Sequence, residues 1–189
     1  MTLNAPAHMA VVKKEEKETK LRDFLAHALK DLDTNAGKPV LRVLARCSGS
    51  PVVRAVAAVQ ADLAAAGVES LVMLALVEGG NVSTVGSGCC VRHLADVRCL
   101  DAHELLVIGP VSSWIGDSMR RDPSVRDSFE LHAQGSEASA RQVAISFDRL
   151  WVRATDVKAP VVATVMDMTA ELAALPVDVA SVPQVLTRH

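Results

Sequence analysis

The chain has 189 residues, half of them hydrophobic, and a formal net charge of −2. That length suits one domain with extensions and supplies a sizeable core, while the charge gives no general attraction to nucleic acid or to an anionic membrane. No apolar run is long enough to span a bilayer as a helix, so no membrane span is expected.

Only five aromatics occur (Phe24, Trp114, Phe129, Phe147, Trp151) and there is no Tyr, so the core must be built from Val, Leu and Ala. The first residues run through Ala10-Val-Val-Lys-Lys-Glu-Glu into charge and offer no signal-peptide core. A soluble, cytoplasmic protein is the expectation, with Cys47, Cys89, Cys90 and Cys99 as thiols rather than bridges.

Residues Met1–Val12 read as a flexible lead. Lys13–Leu32 begins charged and turns amphipathic, with Leu21, Phe24, Leu25, Ala28, Leu29 and Leu32 at helical spacing. The run Lys13–Lys20 reads most simply as a solvated helical face; the sharper alternative is a partner-binding helix. Thr34-Asn-Ala-Gly37 ends the helix and Lys38-Pro39 opens a new unit.

Val40–Cys47 is a strand candidate. Ser50 stands at an N-cap with Pro51 at the first helical position, and Val52–Ala66 follows as an Ala/Val helix stopped by Gly67. Leu71–Val77 is short and continuously apolar, as in a strand buried on both faces. This strand–helix–strand unit implies a right-handed crossover and a parallel pair.

Glu78–Gly88, rich in glycine, is a loop or an irregular hairpin. Val91–Leu94 and Val97–Leu100 are short strand candidates, Glu104–Ile108 is a stronger one, and Trp114-Ile115 is a further short one. Asp122-Pro123 has the form of a cap and first helical residue. Ser128–Ala133 alternates as a strand. Ser136 caps a helix over Glu137–Ala154 whose Ala140, Val143, Ala144, Phe147, Leu150, Trp151 and Ala154 share one stripe. Thr155–His189 is rich in Ala, Val and Pro, with a helix candidate at Met166–Leu175, and reads as a tail wrapping the domain or a neighbouring subunit.

The segments Val97-Arg-Cys-Leu, His103-Glu-Leu-Leu-Val-Ile-Gly-Pro, Trp114-Ile-Gly-Asp-Ser-Met, Phe129-Glu-Leu and Phe147-Asp-Arg-Leu-Trp151 follow one another in a frame that resembles a half-domain of the phospholipase D-like superfamily. The likeness covers roughly Val40 to Trp151. It implies an α/β fold with a mixed, largely parallel sheet flanked by helices, the domain spanning 38–154, between a lead with an N-terminal amphipathic helix (1–37) and a C-terminal extension (155–189). In that family the motif His-x-Lys, a following Asp and a Gly-Ser-x-Asn supply a nucleophilic His and the groups that hold phosphate oxygens. Two copies of the motif meet at one site.

The resemblance places His103 at the nucleophile position and Glu130 on the following strand. Leu105 stands at the Lys position, Pro110 at the Asp position, and Gly116-Asp117-Ser118-Met119 replaces Gly-Ser-x-Asn. Leu105 supplies no charge, and Asp117 repels a phosphate. Losing one electrostatic donor of this kind costs ~100-fold or more in rate. A catalytically defective domain acting as a binding or interaction module is therefore expected. The single motif copy implies a homodimer, its ligand unknown. The alternatives are a phosphodiesterase (a nuclease or phospholipase-type hydrolase) that pairs His103 across that dimer and, behind it, a metal-binding regulator acting through the cysteine-rich segment.

Each candidate residue has a structural reading beside the functional one. His103 is either a surviving nucleophile or an imidazole hydrogen-bonded by Asp101 or Glu104. Arg120 and Arg121, with Ser118 and Glu130, could line a ligand site; the flanking Asp117, Asp122 and Asp127 favour ion pairing instead. No aromatic platform interleaves these arginines, which weakens single-strand nucleic-acid binding further. Cys89, Cys90, His93, Cys99 and His103 invite a metal, but their spacing matches no paired Cys-x-x-Cys pattern. No metal and no cofactor are expected.

Overall fold

The computed structural model describes residues 6–32, 37–77, 85, 88–121 and 125–157. The expected Met166–Leu175 helix, the Asp122-Pro123 turn and most of the Glu78–Gly88 loop lie outside the described residues. In chain order the elements are β1 (His8–Val12), α1 (Lys17–Lys30), β2 (Val40–Ala45), α2 (Pro51–Ala58), α3 (Gln60–Ala65), β3 (Glu69–Leu74) and β4 (Cys89–His93). A 3-10 helix (Val97–Asp101) leads into β5 (His103–Ile108), β6 (Ser112–Ser118), β7 (Ser128–Ala133), α4 (Glu137–Trp151) and β8 (Thr155–Asp156).

The strands form one mixed sheet in the order β1-β7-β6-β5-β2-β3-β4-β8. Its middle is buried on both faces because the central strands β2, β3 and β5 carry apolar residues at consecutive positions, Val43–Ala45, Leu71–Leu74 and Leu105–Ile108. Leu41, Val43, Val72, Leu74, Leu106 and Ile108 face the core under α1 and α2. Leu44, Met73, Leu105 and Val107 face the core under α4. Helix α4 carries Ala140, Val143 and Phe147 into that second core, as its stripe predicts, and Phe147 stacks on Trp151 at 5.3 Å.

Parallel pairing is confined to β2–β3 and β3–β4; the remaining pairs are antiparallel. The parallel share is thus smaller than the expected largely parallel sheet. The reason is local: β5, β6 and β7 are joined by connections too short for a parallel crossover. The parallel pairing of β2 with β3 is as expected, but the connecting helix breaks at Val59 into α2 and α3 before Gly67, at φ +67, ends it. Ser50 occupies the cap position, yet its hydroxyl accepts from the Cys47 amide at 3.2 Å rather than from the helix.

Two further expectations are corrected. His8–Val12, read as part of a flexible lead, pairs along its whole length with β7 and buries Val12 in the core. Val97–Leu100, read as a strand, lies in the 3-10 helix Val97–Asp101 because the Asp96 carboxylate accepts the Arg98 backbone N–H at 3.0 Å and turns the chain. On the sheet face away from α1, Val11 and its cross-strand neighbour Phe129 are exposed, the latter at 61%.

Candidate functional site

The motif residues occupy the end of the β5–β6 hairpin. His103 stands opposite Ser118, and the next pair is Leu105 with Ile115, so Gly116 and Asp117 together oppose Glu104 in a β-bulge. The exposed His103 ring approaches the Gly116 carbonyl through Nδ1 at 3.0 Å. A carbonyl oxygen only accepts, so Nδ1 carries a proton and is the donor. The partner is therefore Gly116, not the expected Asp101 or Glu104.

Ser118 Oγ donates to the carbonyls of Leu100 and Asp101, at 3.4 and 3.5 Å, and accepts the Arg120 amide at 3.3 Å. Arg120 pairs with Asp101 at 2.7 Å and Arg121 with Asp117 at 3.4 Å. Both are exposed pairs, each worth at most about 1 kcal/mol, so they steer charge rather than stabilise the fold. The two arginines near His103 thus face two carboxylates, and the rim has no local excess of positive charge.

The positions beneath the rim are apolar. Leu105 (9% exposed) and Met119 (0%) lie in the core under α4 with Val107, Val143 and Phe147. No cationic or amide side chain stands where the resemblance asks for Lys and Asn.

Glu130 is not on this rim. It projects from β7 to the opposite sheet face, where a sealed polar cluster forms. Lys17, the first residue of α1, places Nζ 2.7 Å from Glu130 Oε1 and 3.2 Å from Glu104 Oε2, and none of the three side chains is more than 3% exposed. Trp114 Nε1 donates to Glu130 Oε2 at 2.5 Å and Ser128 Oγ to Oε1 at 2.5 Å. The Arg46 amide reaches Glu104 Oε1 at 3.5 Å. Gly116 makes room: a Cβ there would lie 2.9 Å from Glu130 Oε2 and 3.3 Å from Lys17 Nζ.

Sequence reasoning missed Lys17 by assigning the whole run to a solvated face. The signal was its spacing, since Lys17, Leu21, Phe24, Leu25 and Ala28 form the buried stripe of α1. Inward-facing Glu104 and Glu130 demand a cation, and Lys17 is the one the fold brings to them.

The sheet separates Cys89 and Cys90 from His103, members of the set whose residue types invite a metal. Cys89 and Cys90 sit on β4, which is three strand steps from the His103 strand, a separation of about 14 Å. Cys89 and Cys90 are sequence neighbours on one strand and point to opposite faces. Burial raises the Cys89 thiol above its ordinary value.

No protein-family model and no curated protein matches the chain. Among solved structures, the fold is similar to that of the phospholipase D family member Nuc from Salmonella typhimurium. The likeness has a TM-score of 0.52 at 14% identity and covers 80% of this chain and 98% of that one. NucT from Helicobacter pylori is similar with a TM-score of 0.52 at 6% identity, over 80% and 99% of the two chains. The archaeal chromatin protein TrmBL2, described as showing a novel mode of DNA binding, matches with a TM-score of 0.52 at 11% identity; 79% of this chain covers 55% of that one. The architecture is thus an α/β fold, its mixed sheet flanked by helices, similar to phospholipase D family members. No helix among the described residues is long and apolar enough to cross a membrane.

Proposed function

We propose that this chain is a phospholipase D-like domain without phosphodiester chemistry, serving as a binding or interaction module in a cytoplasmic homodimer. The observation that carries the reading is the burial of Leu105 and Met119 under α4, at the positions where phosphate-holding groups would stand. A phosphorane carries charge that a site must meet with fixed donors, and an aliphatic core supplies none. The rim arginines Arg120 and Arg121 are matched by Asp101 and Asp117, so an anion arriving beside Ser118 meets no net attraction. Exposed apolar side chains at the β1 edge, Val11 and Phe129, are of the kind a protein-binding surface uses.

The test is turnover by the purified chain on bis(p-nitrophenyl) phosphate and on single-stranded DNA, beside His103→Ala. Equal background rates support the reading; turnover that vanishes in the variant overturns it. Light scattering in solution tests the homodimer, and a monomer at all concentrations removes it.

One observation favours a second reading. His103 is exposed and hydrogen-bonds the Gly116 carbonyl through Nδ1, so Nε2 is the nitrogen an attacking imidazole would use. A hydrolase pairing two such rings across a dimer would need arginines in place of the lost Lys. The same assay decides it. The likeness to a chromatin protein described as binding DNA makes DNA a ligand to test, although the net charge of −2 and the paired arginines weigh against it.

A further inference from the structure

We propose that Lys17 and Glu130 condense into an intramolecular isopeptide bond, with Glu104 as the proton carrier, so that α1 is joined covalently to β7. An ordinary ion pair needs two charges. Here the groups required for acyl transfer surround one carboxylate. Lys17 Nζ is the nucleophile, 2.7 Å from Glu130 Oε1, and Glu104 Oε2 stands 3.2 Å from the same nitrogen. Trp114 Nε1–H is directed at Oε2 and the Ser128 hydroxyl at Oε1, so each oxygen of the electrophile has its own donor. Leu21 and Val52 close the cluster, and the adjoining cavity of about 10 Å³ has room for about one water.

The step balances within the chain. One proton of the Lys17 ammonium passes to Glu130 Oε1, leaving an amine beside a carboxylic acid. The Nζ lone pair attacks Cδ, and the C=O pair moves onto Oε2, where the Trp114 N–H meets the developing charge. Glu104 takes a second proton from Nζ and delivers it to Oε1, which departs as water from the Ser128 hydroxyl while the pair on Oε2 restores the carbonyl. A C–N bond forms, a C–O bond breaks, and no oxidant, reductant or co-reactant enters.

One physical effect favours the step. Holding the reactants in contact replaces a bimolecular encounter, with effective molarities on the order of 10⁵ M or more for well-oriented pairs. Condensation removes one charge of each sign, and Glu104 keeps the Arg46 amide and gains the new amide N–H as donors.

The experiment is mass spectrometry of the purified full-length chain. The expected intact mass is lower than the sequence mass by one water. After denaturation and trypsin, Lys17 is uncut and a branched peptide joins its segment to the one containing Glu130. Lys17→Arg keeps the charge and has the full mass of its sequence. Glu104→Gln, shown folded by circular dichroism, also keeps the full mass. A wild-type chain of full sequence mass giving linear peptides that end at Lys17, or a water loss mapped elsewhere, overturns the proposal. A Glu104→Gln chain still cross-linked overturns the role of Glu104.

Discussion

The His103 imidazole and the Gly116 carbonyl lie 3.0 Å apart across the β5–β6 bulge, which fixes Nδ1 as donor. Gly116 therefore serves two faces of the sheet: its carbonyl orients His103 on one side, and its missing side chain admits the Lys17–Glu130 contact on the other. Replacing it with alanine puts a Cβ 2.9 Å from Glu130 Oε2, whose position is pinned by Trp114 and Lys17. Gly116→Ala is expected to lower stability by about 1–3 kcal/mol, read as a reduced urea midpoint at unchanged slope.

Restoring the motif on paper does not restore a site. Leu105→Lys sends an ammonium into the core under α4, where Val107, Val143 and Phe147 offer no partner. A loss of about 3 kcal/mol or more is expected, with no gain in phosphodiester turnover. Denaturant titration and the bis(p-nitrophenyl) phosphate assay check the two halves separately. A stable, active Leu105→Lys chain would contradict the assignment of this position to the core.

Removing the cation from the sealed cluster is expected to be the costliest single change. Lys17→Met leaves Glu104 and Glu130 buried without compensation, at about 3–5 kcal/mol. Thermal unfolding of this variant beside Lys20→Met, whose exposed partner is Glu16, separates the buried pair from a surface pair worth at most about 1 kcal/mol.

His132 gives the fold a pH dependence. Burial holds its imidazole below the ordinary value near 6.5, with His8 and Lys20 acting in the same direction and Glu130 against. The unfolded chain therefore binds this proton more readily than the folded one. Stability from His132 is complete above the ordinary value and falls as pH drops through it. Melting temperature should decline on acidification from neutrality, and His132→Gln should flatten that decline; an unchanged slope in the variant would assign the effect elsewhere.

The two adjacent cysteines should react at different rates. Cys90 is exposed, whereas burial raises the thiol of half-buried Cys89, which also donates to Gln60 Oε1 at 3.4 Å. Iodoacetamide at neutral pH should label Cys90 first, since the thiolate is the attacking species. Peptide mapping over time reads the order.

Much of the scaffold was legible in the sequence because its signals are local. The apolar runs of β2, β3 and β5, the stripe of α4 and the Ser136 cap each lie within a few residues. What escaped depends on partners far along the chain. Edge strand β1 exists because β7, more than a hundred residues later, pairs with it. The burial of Lys17 likewise depends on Glu104 and Glu130, reached only through the sheet order. The missing clamp was readable at Leu105 directly; its conversion into core under α4 was not, because helix packing decides which strand face is sealed.

The most direct test of the central claim is a titration of the His103 ring nitrogens with inorganic phosphate, followed by nitrogen-detected magnetic resonance. With Leu105 and Met119 in the core and Arg120 and Arg121 held by carboxylates, the Nε2 resonance should stay in place as phosphate rises at fixed pH and ionic strength. A saturable shift of Nε2 that disappears in an Arg120→Ala, Arg121→Ala chain would show a working anion site and contradict the account.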